Sequence, residues 1–205
     1  MYVNIAVEDP LSNGVLTKIL SQSGHHYVIS NVYMKNGCGY LKKNINAFNS
    51  AAKVMPWLVL TDLDRLECPP VLINQWLPHG KHDNLIFRIA VREVEAWVLA
   101  HRQAFLEFLG IKNRNLSIIP NDVDSIPDPK RYLIDIVKKS PKRELRSAIV
   151  PPPNSGRTQG PDYNSPLLKF VKDSWDTTHA MACSNSLARA VSAIKKFKPA
   201  RHSQG

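Results

Sequence analysis

Hydrophobic and polar positions change their period repeatedly along the first half of the chain. Short apolar runs rich in β-branched and aromatic residues predict strands, and stretches with apolar residues three or four positions apart predict helices. The expected strands span Tyr2–Val7, Tyr27–Met34, Pro56–Leu60 and Leu85–Val91. The expected helices span Leu11–Gln22, Leu41–Val54 and Arg92–Leu109. This alternation favours right-handed crossovers, so we predict an α/β fold with a mostly parallel sheet flanked by helices.

The second half of the chain carries helical patterns only. The expected helices span residues 128–139, 165–173 and 184–197. The run Pro151–Pro153 predicts a loop, since proline lacks the backbone N–H that a helix needs. We therefore expect an α/β core at residues 1–112 and a C-terminal helical extension packed on it at 113–205. Within that extension we expect a proline-rich loop at 150–160 and a basic tail at 195–205.

The charge balance indicates a polyanionic partner. Lys and Arg number 27 against 17 Asp and Glu, which gives a formal net charge of +10 and a pI near 9.6. Such a surplus favours a polyanionic partner such as nucleic acid. Two basic runs, 138–143 and 195–198, are candidates for contact with a phosphate backbone. A solvated surface explains these runs equally well.

Cysteine usage and hydropathy restrict the cellular context. The three cysteines, Cys38, Cys68 and Cys183, are odd in number and widely spaced, which argues against a disulfide framework and against a cysteine-based zinc site. The chain begins without a basic segment before a long apolar run, so it does not resemble a secretory signal. No stretch of about 18 apolar residues occurs, so we expect no membrane contact and a cytoplasmic location.

Three acidic residues follow predicted strands. Glu8 follows the first strand, and Asp62 and Asp64 follow the third. The carboxyl ends of parallel strands meet at one edge of a sheet, where ligands bind. Carboxylate oxygens suit Mg²⁺ or Mn²⁺, and crowded carboxylates repel one another until a cation binds. These acids therefore indicate a divalent-metal site. In the alternative interpretation the aspartates cap the next turn and Glu8 is solvated.

Several other residues invite a chemical interpretation. Arg65, beside the aspartates, is a candidate for contact with phosphate or for a salt bridge, and the sequence leaves both open. His101 lies in an apolar helical stripe and is expected to pack in the core with a hydrogen bond. The histidine pairs in loops lack further ligands, which argues against zinc. Packing in the core, rather than stacking on nucleic-acid bases, is expected for the large aromatic residues Trp97, Tyr163 and Trp175.

An acid after the first strand and an Asp-x-Asp after the third resemble the Toprim fold of topoisomerases, primases, some repair proteins and OLD-family nucleases. Within that group, the chain is similar to the bacterial and archaeal Toprim-like family catalogued as domain of unknown function 4276. The matching segments span nearly the whole chain in the expected order. They are Ala6–Glu8, Thr61–Asp64, Val94–Ala100, Asp128–Lys130, Gly160–Asn164, Trp175–Asp176 and Ser184–Arg189.

The resemblance implies a metal-dependent nuclease that hydrolyses DNA phosphodiesters. Glu8, Asp62 and Asp64 are the implied Mg²⁺ or Mn²⁺ ligands, and Glu95 is the implied fourth acid or base, with a solvated first-turn acid as the alternative. Lys130, at the start of a predicted helix, is expected either to assist at the phosphate or to be an exposed first-turn lysine. Glu93 lies about 200 degrees around a helix from Glu95, so we expect that only one of the two points into the site.

Two positions depart from the family pattern. Asp9-Pro10 follows Glu8 where the family usually has glycine, which could add a ligand or shift the loop. His101 stands where the family tends to have aspartate.

The resemblance also implies a partner protein, an ABC- or AAA-type ATPase in a defence or repair module. The chain contains no Gly-x-x-x-x-Gly-Lys-Ser/Thr motif, so any ATPase activity belongs to another subunit. A non-catalytic nucleic-acid-binding or regulatory subunit is the alternative function. A receiver or phosphatase-like domain is a third possibility, but such folds place their key acidic pair or nucleophile after the first strand.

Overall fold

The computed structural model describes residues 1–35, 37–112 and 117–200. These residues form two compact units, which we call the sheet unit and the helical unit. The sheet unit contains Met1–Ala90 and the residues from Arg189 onward, and the helical unit contains Val91–Ala188. The helical unit is therefore an insertion in the chain of the sheet unit. This division differs from the expected one at residue 112, because the helices that follow Ala90 group with the later ones.

The sheet unit is built on four parallel strands. These are β1 (Tyr2–Val7), β2 (Val28–Met34), β3 (Trp57–Asp62) and β4 (Leu85–Ala90). Their order across the sheet is β2-β1-β3-β4, and all three neighbouring pairs are parallel. The predicted α/β class and parallel sheet are confirmed, and each strand lies where the hydrophobic pattern predicts it.

Three helices connect these strands: α1 (Pro10–Ser21), α2 (Cys38–Ala51) and α3 (Pro69–Trp76). The first begins where Asp9 caps it, since the Asp9 carboxylate accepts a hydrogen bond of 2.7 Å from Ser12 N–H. The sequence analysis missed α3, which is short and begins with two prolines. Proline is favoured in the first turn of a helix, so the same residues that suggest a loop can start one.

Apolar side chains of the two central strands form the core of the sheet unit. Val3, Ile5 and Val7 of β1 are completely buried. Beside them the Trp57 ring stacks on Phe48 of α2, with centroids 4.7 Å apart. Each fully buried aliphatic side chain of this kind stabilises a fold by about 1.5–3 kcal/mol. The core thereby fixes the strand ends that carry the candidate acids.

The helical unit contains six helices within the described residues. They are α4 (Val94–Ala100), α5 (Arg102–Leu109), α6 (Pro129–Val137), α7 (Arg143–Ile149), α8 (Asn164–Asp173) and α9 (Thr177–Met181). The last helix, α10 (Asn185–Lys196), begins in this unit and continues into the sheet unit. The segment Pro151–Pro153 is neither helix nor strand, as predicted. Residues 201–205 of the expected basic tail lie outside the described residues.

The prediction of one long helix over Arg92–Leu109 is wrong. His101 has φ −83° and ψ 66°, which ends α4 and caps α5. Its Nδ1 accepts a hydrogen bond of 3.1 Å from Asp176 N–H, so the imidazole is held against the start of α9 at the break. Every residue of α4 is buried, so apolar residues continue up to the break. The apolar pattern therefore runs past His101 although the helical backbone ends there.

Hydrogen bonds of the two tryptophans and of Asp124 connect distant segments of the helical unit. Trp97 Nε1 donates to Ser186 Oγ at 2.7 Å, and Trp175 Nε1 donates to the Trp97 carbonyl at 2.9 Å. Asp124 accepts from Ser184 Oγ and from Ser186 N–H, both at 2.7 Å. The predicted core role of both tryptophans is confirmed.

The helices of the described ranges are too short or too polar for a lipid bilayer, and none of them qualifies as a membrane span.

Candidate functional site

The carboxyl edge of the sheet gathers side chains from three consecutive strands. Glu8 follows β1, Cys38 begins the helix after β2, and Asp62 ends β3 with Asp64 two residues later. Since β1, β2 and β3 run parallel, these positions share one edge. The expectation that Glu8 and the aspartate pair emerge together rests on this topology.

Glu8 is held by hydrogen bonds from the end of β3. Glu8 is only 8% exposed. Its Oε1 accepts hydrogen bonds from Thr61 Oγ1 at 2.5 Å and from Asp62 N–H at 2.9 Å. Thr61 itself is buried. The carboxylate is therefore fixed against the backbone from which Asp62 projects, and its orientation is determined before any ligand binds.

Burial is the main cause that raises the pKa of Glu8 above its ordinary value, and the negative charges of Asp64 and Asp9 act in the same direction. Hydrogen bonds from Thr61 and Asp62 oppose them and lower the pKa. A cation at this edge would stabilise the ionised form of Glu8. The electrostatics thus suit an acidic group that interacts with positive charge.

Asp64 lies in a turn with left-handed backbone. Its φ is +53°, whereas Asp62 lies in extended strand and is partly buried. A left-handed conformation costs most residues about 1–2 kcal/mol, although Asp and Asn tolerate it better than others. The turn leaves Asp64 exposed to solvent, two residues beyond the backbone amide that binds Glu8.

Cys38 is a neighbour that the sequence analysis did not connect with the acids. Burial raises the pKa of its thiol, and the charges of Glu8, Asp64 and Asp62 raise it further. The thiol is therefore within electrostatic reach of the acidic edge. One signal could have revealed it: Cys38 follows the second parallel strand, so the topology argument that selected Glu8 applies to it as well.

The acids are not assembled as a metal cage. Within residues 1–35, 37–112 and 117–200, no group of three or more His, Cys, Asp or Glu side chains is arranged to hold a metal ion. Mg²⁺ nevertheless often takes only one or two carboxylates and completes its shell with water and substrate phosphate. The carboxylate oxygens of Glu8, Asp62 and Asp64 are hard donors that fit a site with one or two protein ligands. Ligation by all of them stays a prediction.

Two neighbours of the acids have clear positions. Asp9, which could have been an additional ligand, is the N-cap of α1 through its contact with Ser12. Arg65 is exposed and forms no ion pair within the described part of the chain. Of its two suggested roles, the salt bridge is not formed.

In the helical unit, Glu95 belongs to a buried polar cluster. The residue is 1% exposed, its Oε1 accepts from Tyr163 Oη at 2.9 Å, and Lys130 Nζ lies 3.3 Å from the same oxygen. Lys130 Nζ also lies 5.6 Å from the centroid of the Tyr163 ring. Three family-like segments thus meet at this carboxylate. Metal ligation by Glu95 stays a prediction, since these contacts neither require nor exclude it.

Glu93 reaches the same lysine residue. Its Oε2 accepts from Lys130 N–H at 2.7 Å, at the start of α6. The expectation that only one of Glu93 and Glu95 points into the site assumed that both lie in one helix, whereas Glu93 precedes α4 with extended backbone at φ −146° and ψ 157°. Helical spacing does not apply to a residue outside the helix.

The chemistry of Glu93 makes it a residue that the sequence analysis undervalued. Burial, followed by the charge of Glu95, raises the pKa of Glu93 to about 7. The side chain also lines a cavity of about 540 Å³. A carboxyl group that titrates near neutral pH in a cleft has the properties of a proton donor or acceptor.

His101 forms the expected hydrogen bond, but it is half-buried and does not lie in the core. Its ring stacks on His179 with centroids 4.9 Å apart and an interplanar angle of 5°. Burial lowers the pKa of His101, and the neighbouring His179 lowers it further. The imidazole is therefore favoured in its neutral form, consistent with its Nδ1 accepting the Asp176 N–H.

Comparisons with known proteins add no relative from which a role could be transferred. No protein-family model matches the chain, and neither the curated proteins nor the solved structures give a significant match. The α/β fold with its parallel sheet is observed, and the Toprim-like identity stays a prediction.

Proposed function

We propose that this chain is a Mg²⁺- or Mn²⁺-dependent Toprim-type nuclease, or the nuclease subunit of a larger assembly, that hydrolyses DNA phosphodiesters. The observation that carries the proposal is the contact between Glu8 and the end of β3. One buried carboxylate is oriented by Thr61 and by the Asp62 amide, at a sheet edge that also bears the Asp62 and Asp64 side chains.

Glu8, Asp62 and Asp64 are the residues that would hold the ion. When bound, a divalent ion supplies an activated water molecule and stabilises negative charge on a phosphate. The chain contributes the negative charge that attracts the ion and the hydrogen bonds that fix Glu8. A cation would offset the repulsion from Asp64 and Asp9 that helps to raise the pKa of Glu8.

Glu95 enters the proposal through the family resemblance, and Lys130 enters it through its place at the start of α6. In the helical unit, the ammonium group of Lys130 is positioned by Glu95 and the Tyr163 ring. A lysine so positioned can neutralise charge that develops on a phosphodiester. Glu95 would position Lys130 and, as the resemblance implies, act as a further ligand or as a base.

The partners follow from charge and from the resemblance. A net charge of +10 favours nucleic acid, and the family resemblance implies DNA and an ABC- or AAA-type ATPase partner in a cytoplasmic defence or repair module. The chain itself lacks the Gly-x-x-x-x-Gly-Lys-Ser/Thr phosphate loop of P-loop ATPases.

One observation favours a second candidate function. A site without three converging metal ligands among the described residues is what a non-catalytic, nucleic-acid-binding or regulatory subunit would have. Such a subunit would bind DNA in a salt-sensitive manner, or bind an ATPase, without cleaving a strand under any metal condition.

Cleavage assays separate the two candidates. Purified protein would be incubated with plasmid and linear DNA in Mn²⁺, Mg²⁺ or EDTA, alongside Glu8→Gln, the double variant Asp62→Asn/Asp64→Asn and the control Glu67→Gln. Glu67 is an exposed acid of the sheet unit. We expect metal-dependent cleavage by the wild type and by Glu67→Gln, and none by the other two.

Each alternative result has a defined meaning. Cleavage that persists in Asp62→Asn/Asp64→Asn would exclude the assigned site. Absence of cleavage with salt-sensitive DNA binding would favour the non-catalytic subunit. A melting temperature that rises on addition of Mn²⁺ in the wild type, but not in the double variant, would support ion binding independently of activity.

A further inference from the structure

Two neighbouring cavities lie on the helical unit. The first has a volume of about 540 Å³ and lies beside the start of α6, and the second has a volume of about 460 Å³ and lies beside α7. Lys138 and Pro151 line both, so the cavities adjoin, and we call them together the two-cavity groove. Each falls within the range of about 300–1,000 Å³ that is typical of ligand pockets.

Six cationic side chains line this groove. Lys130, Arg131, Lys138 and Arg157 line the first cavity, and Arg143 and Arg146 line the second together with Lys138. Among the described residues, the guanidinium groups of Arg131, Arg143 and Arg157 form no ion pair. The groove therefore exposes positive charge that protein carboxylates leave uncompensated.

The carboxylates in the first cavity are engaged locally. Glu93 accepts from Lys130 N–H, and Asp128 accepts from Arg131 N–H at 2.9 Å. Asp135 pairs with Lys138 Nζ at 2.7 Å. Because the first two cap the start of α6, the backbone amides there are occupied. An incoming anion must bind the side chains of Arg131 and Arg157 instead, with the Thr158 hydroxyl in the same cavity.

The second cavity has a different character. Its lining includes Val150 and the prolines Pro151–Pro153, which provide rigid apolar surface. The Arg146 guanidinium donates to the Ser140 carbonyl, so its position is fixed. The planar guanidinium of arginine is a surface on which a base can stack, whereas the Asp and Glu side chains of an acidic peptide carry no flat ring.

We infer that the two-cavity groove binds a single strand of nucleic acid, with a phosphate in the first cavity and a neighbouring nucleotide against the prolines of the second. Two adjoining concavities can receive separated groups of one strand, whereas a duplex keeps its bases stacked inside. This inference deepens the proposed function and rests on it for the role of the strand as a substrate. Binding of the strand depends only on the helical unit.

Fluorescence anisotropy tests the inference with the full chain. The probe is a labelled oligothymidylate of about 12 nucleotides, in EDTA so that cleavage cannot interfere. The groove variant is Arg131→Gln/Arg157→Gln. The control variant, Lys53→Gln/Lys169→Gln, removes the same charge from exposed positions that do not line the groove. Melting temperatures would verify that all variants are folded.

We expect the groove variant to bind the strand at least about tenfold more weakly, and the control to change affinity by less than about threefold. The slope of log affinity against log salt should become shallower by about 0.7 for each phosphate that the variant no longer neutralises. Equal weakening by both variants would overturn the inference, because it would indicate bulk charge. Tighter binding of a duplex, or equal displacement by polyglutamate, would also overturn it.

Cleavage of the same strand in Mn²⁺, compared with its binding in EDTA, separates this inference from the proposed function. A protein that shows groove-dependent binding but never cleaves DNA would retain the groove and lose the nuclease proposal. A protein that cleaves DNA, with strand binding unaffected by Arg131→Gln/Arg157→Gln, would retain the nuclease proposal and exclude the groove.

Discussion

Thr61 donates a buried hydrogen bond to the carboxylate of Glu8 and thereby joins the end of β3 to the end of β1. Replacement of Thr61 by valine preserves shape and removes the donor. We expect the free energy of unfolding to fall by about 1–3 kcal/mol, because a buried carboxylate is deprived of one of its partners. Chemical denaturation measures this change.

Thr61→Ser is the matched control, since it retains the hydroxyl group. We expect it to be more stable than Thr61→Val and to keep any metal-dependent cleavage. Equal stability of Thr61→Val and wild type would mean that the hydrogen bond does not orient Glu8.

Glu93 makes stability depend on pH. Burial and the Glu95 charge raise its pKa to about 7 in the folded protein, from an ordinary value of 4.5. Between these values the folded chain holds a proton that the unfolded chain has released. Stability from the protonated form is therefore complete below pH 4.5 and is lost as the pH rises through about 7.

The variant Glu93→Gln stays neutral and can still accept from Lys130 N–H. We expect its stability relative to wild type to increase across that window by about 1 kcal/mol, since water screens this partly exposed carboxyl. Denaturation at several pH values measures the difference. Glu144→Gln, at an exposed position of α7, should show no such trend. A constant difference between Glu93→Gln and wild type would refute the assignment.

Tyr163 positions the buried carboxylate of Glu95. Tyr163→Phe removes the hydroxyl donor and keeps the ammonium group of Lys130 beside Glu95. We expect the free energy of unfolding to fall by about 1–3 kcal/mol, the usual cost when a buried polar group is deprived of a partner. Tyr2→Phe is the control, because Tyr2 is 65% exposed and its change should be close to zero.

A change of similar size in both tyrosine variants would contradict the prediction. A Tyr163→Phe protein with the same free energy of unfolding as the wild type would also contradict it.

Gly160 allows a close backbone approach. A methyl group at this position would lie 2.1 Å from the Ala148 carbonyl oxygen, at the end of α7. Since that neighbour is backbone and cannot rotate away, Gly160→Ala should cost at least about 2 kcal/mol and lower the melting temperature. The shift should also disturb Tyr163, three residues later.

Gly39→Ala supplies the comparison, because a methyl group there meets nothing within 4 Å. Gly39 lies in α2, where alanine is the better helix former, so we expect unchanged or slightly increased stability. A Gly160→Ala protein as stable as Gly39→Ala would show that the backbone of α7 can relax.

The sheet could be predicted from the sequence because each strand is rich in β-branched and aromatic residues. Buried parallel strands need apolar residues on both faces, and β1 and β3 meet that requirement. The helices α3, α7 and α9 were missed because each is eight residues or shorter and gives too little periodic signal. The break at His101 was missed because the contact found there, with Asp176, is distant in sequence.

The candidate site could be predicted only in part. Parallel topology indicates that Glu8 and Asp62 share an edge, and the sequence contains that information. The partners of Glu95 and Glu93 could not be predicted, since Lys130 and Tyr163 approach them from segments 35 and 68 residues away from Glu95. The raised pKa of Glu93 depends on burial, which no local pattern encodes.

The insertion of the helical unit constrains how this protein can be synthesised and shortened. Tyr27 donates to the Ile194 carbonyl at 2.8 Å, and Ala200 N–H donates to Asn84 at 2.7 Å. A ribosome releases those last partners only after the inserted helices have emerged. A stop codon shortly after Ala188 would consequently damage the unit that bears Glu8, although about a hundred residues separate that codon from the end of β4.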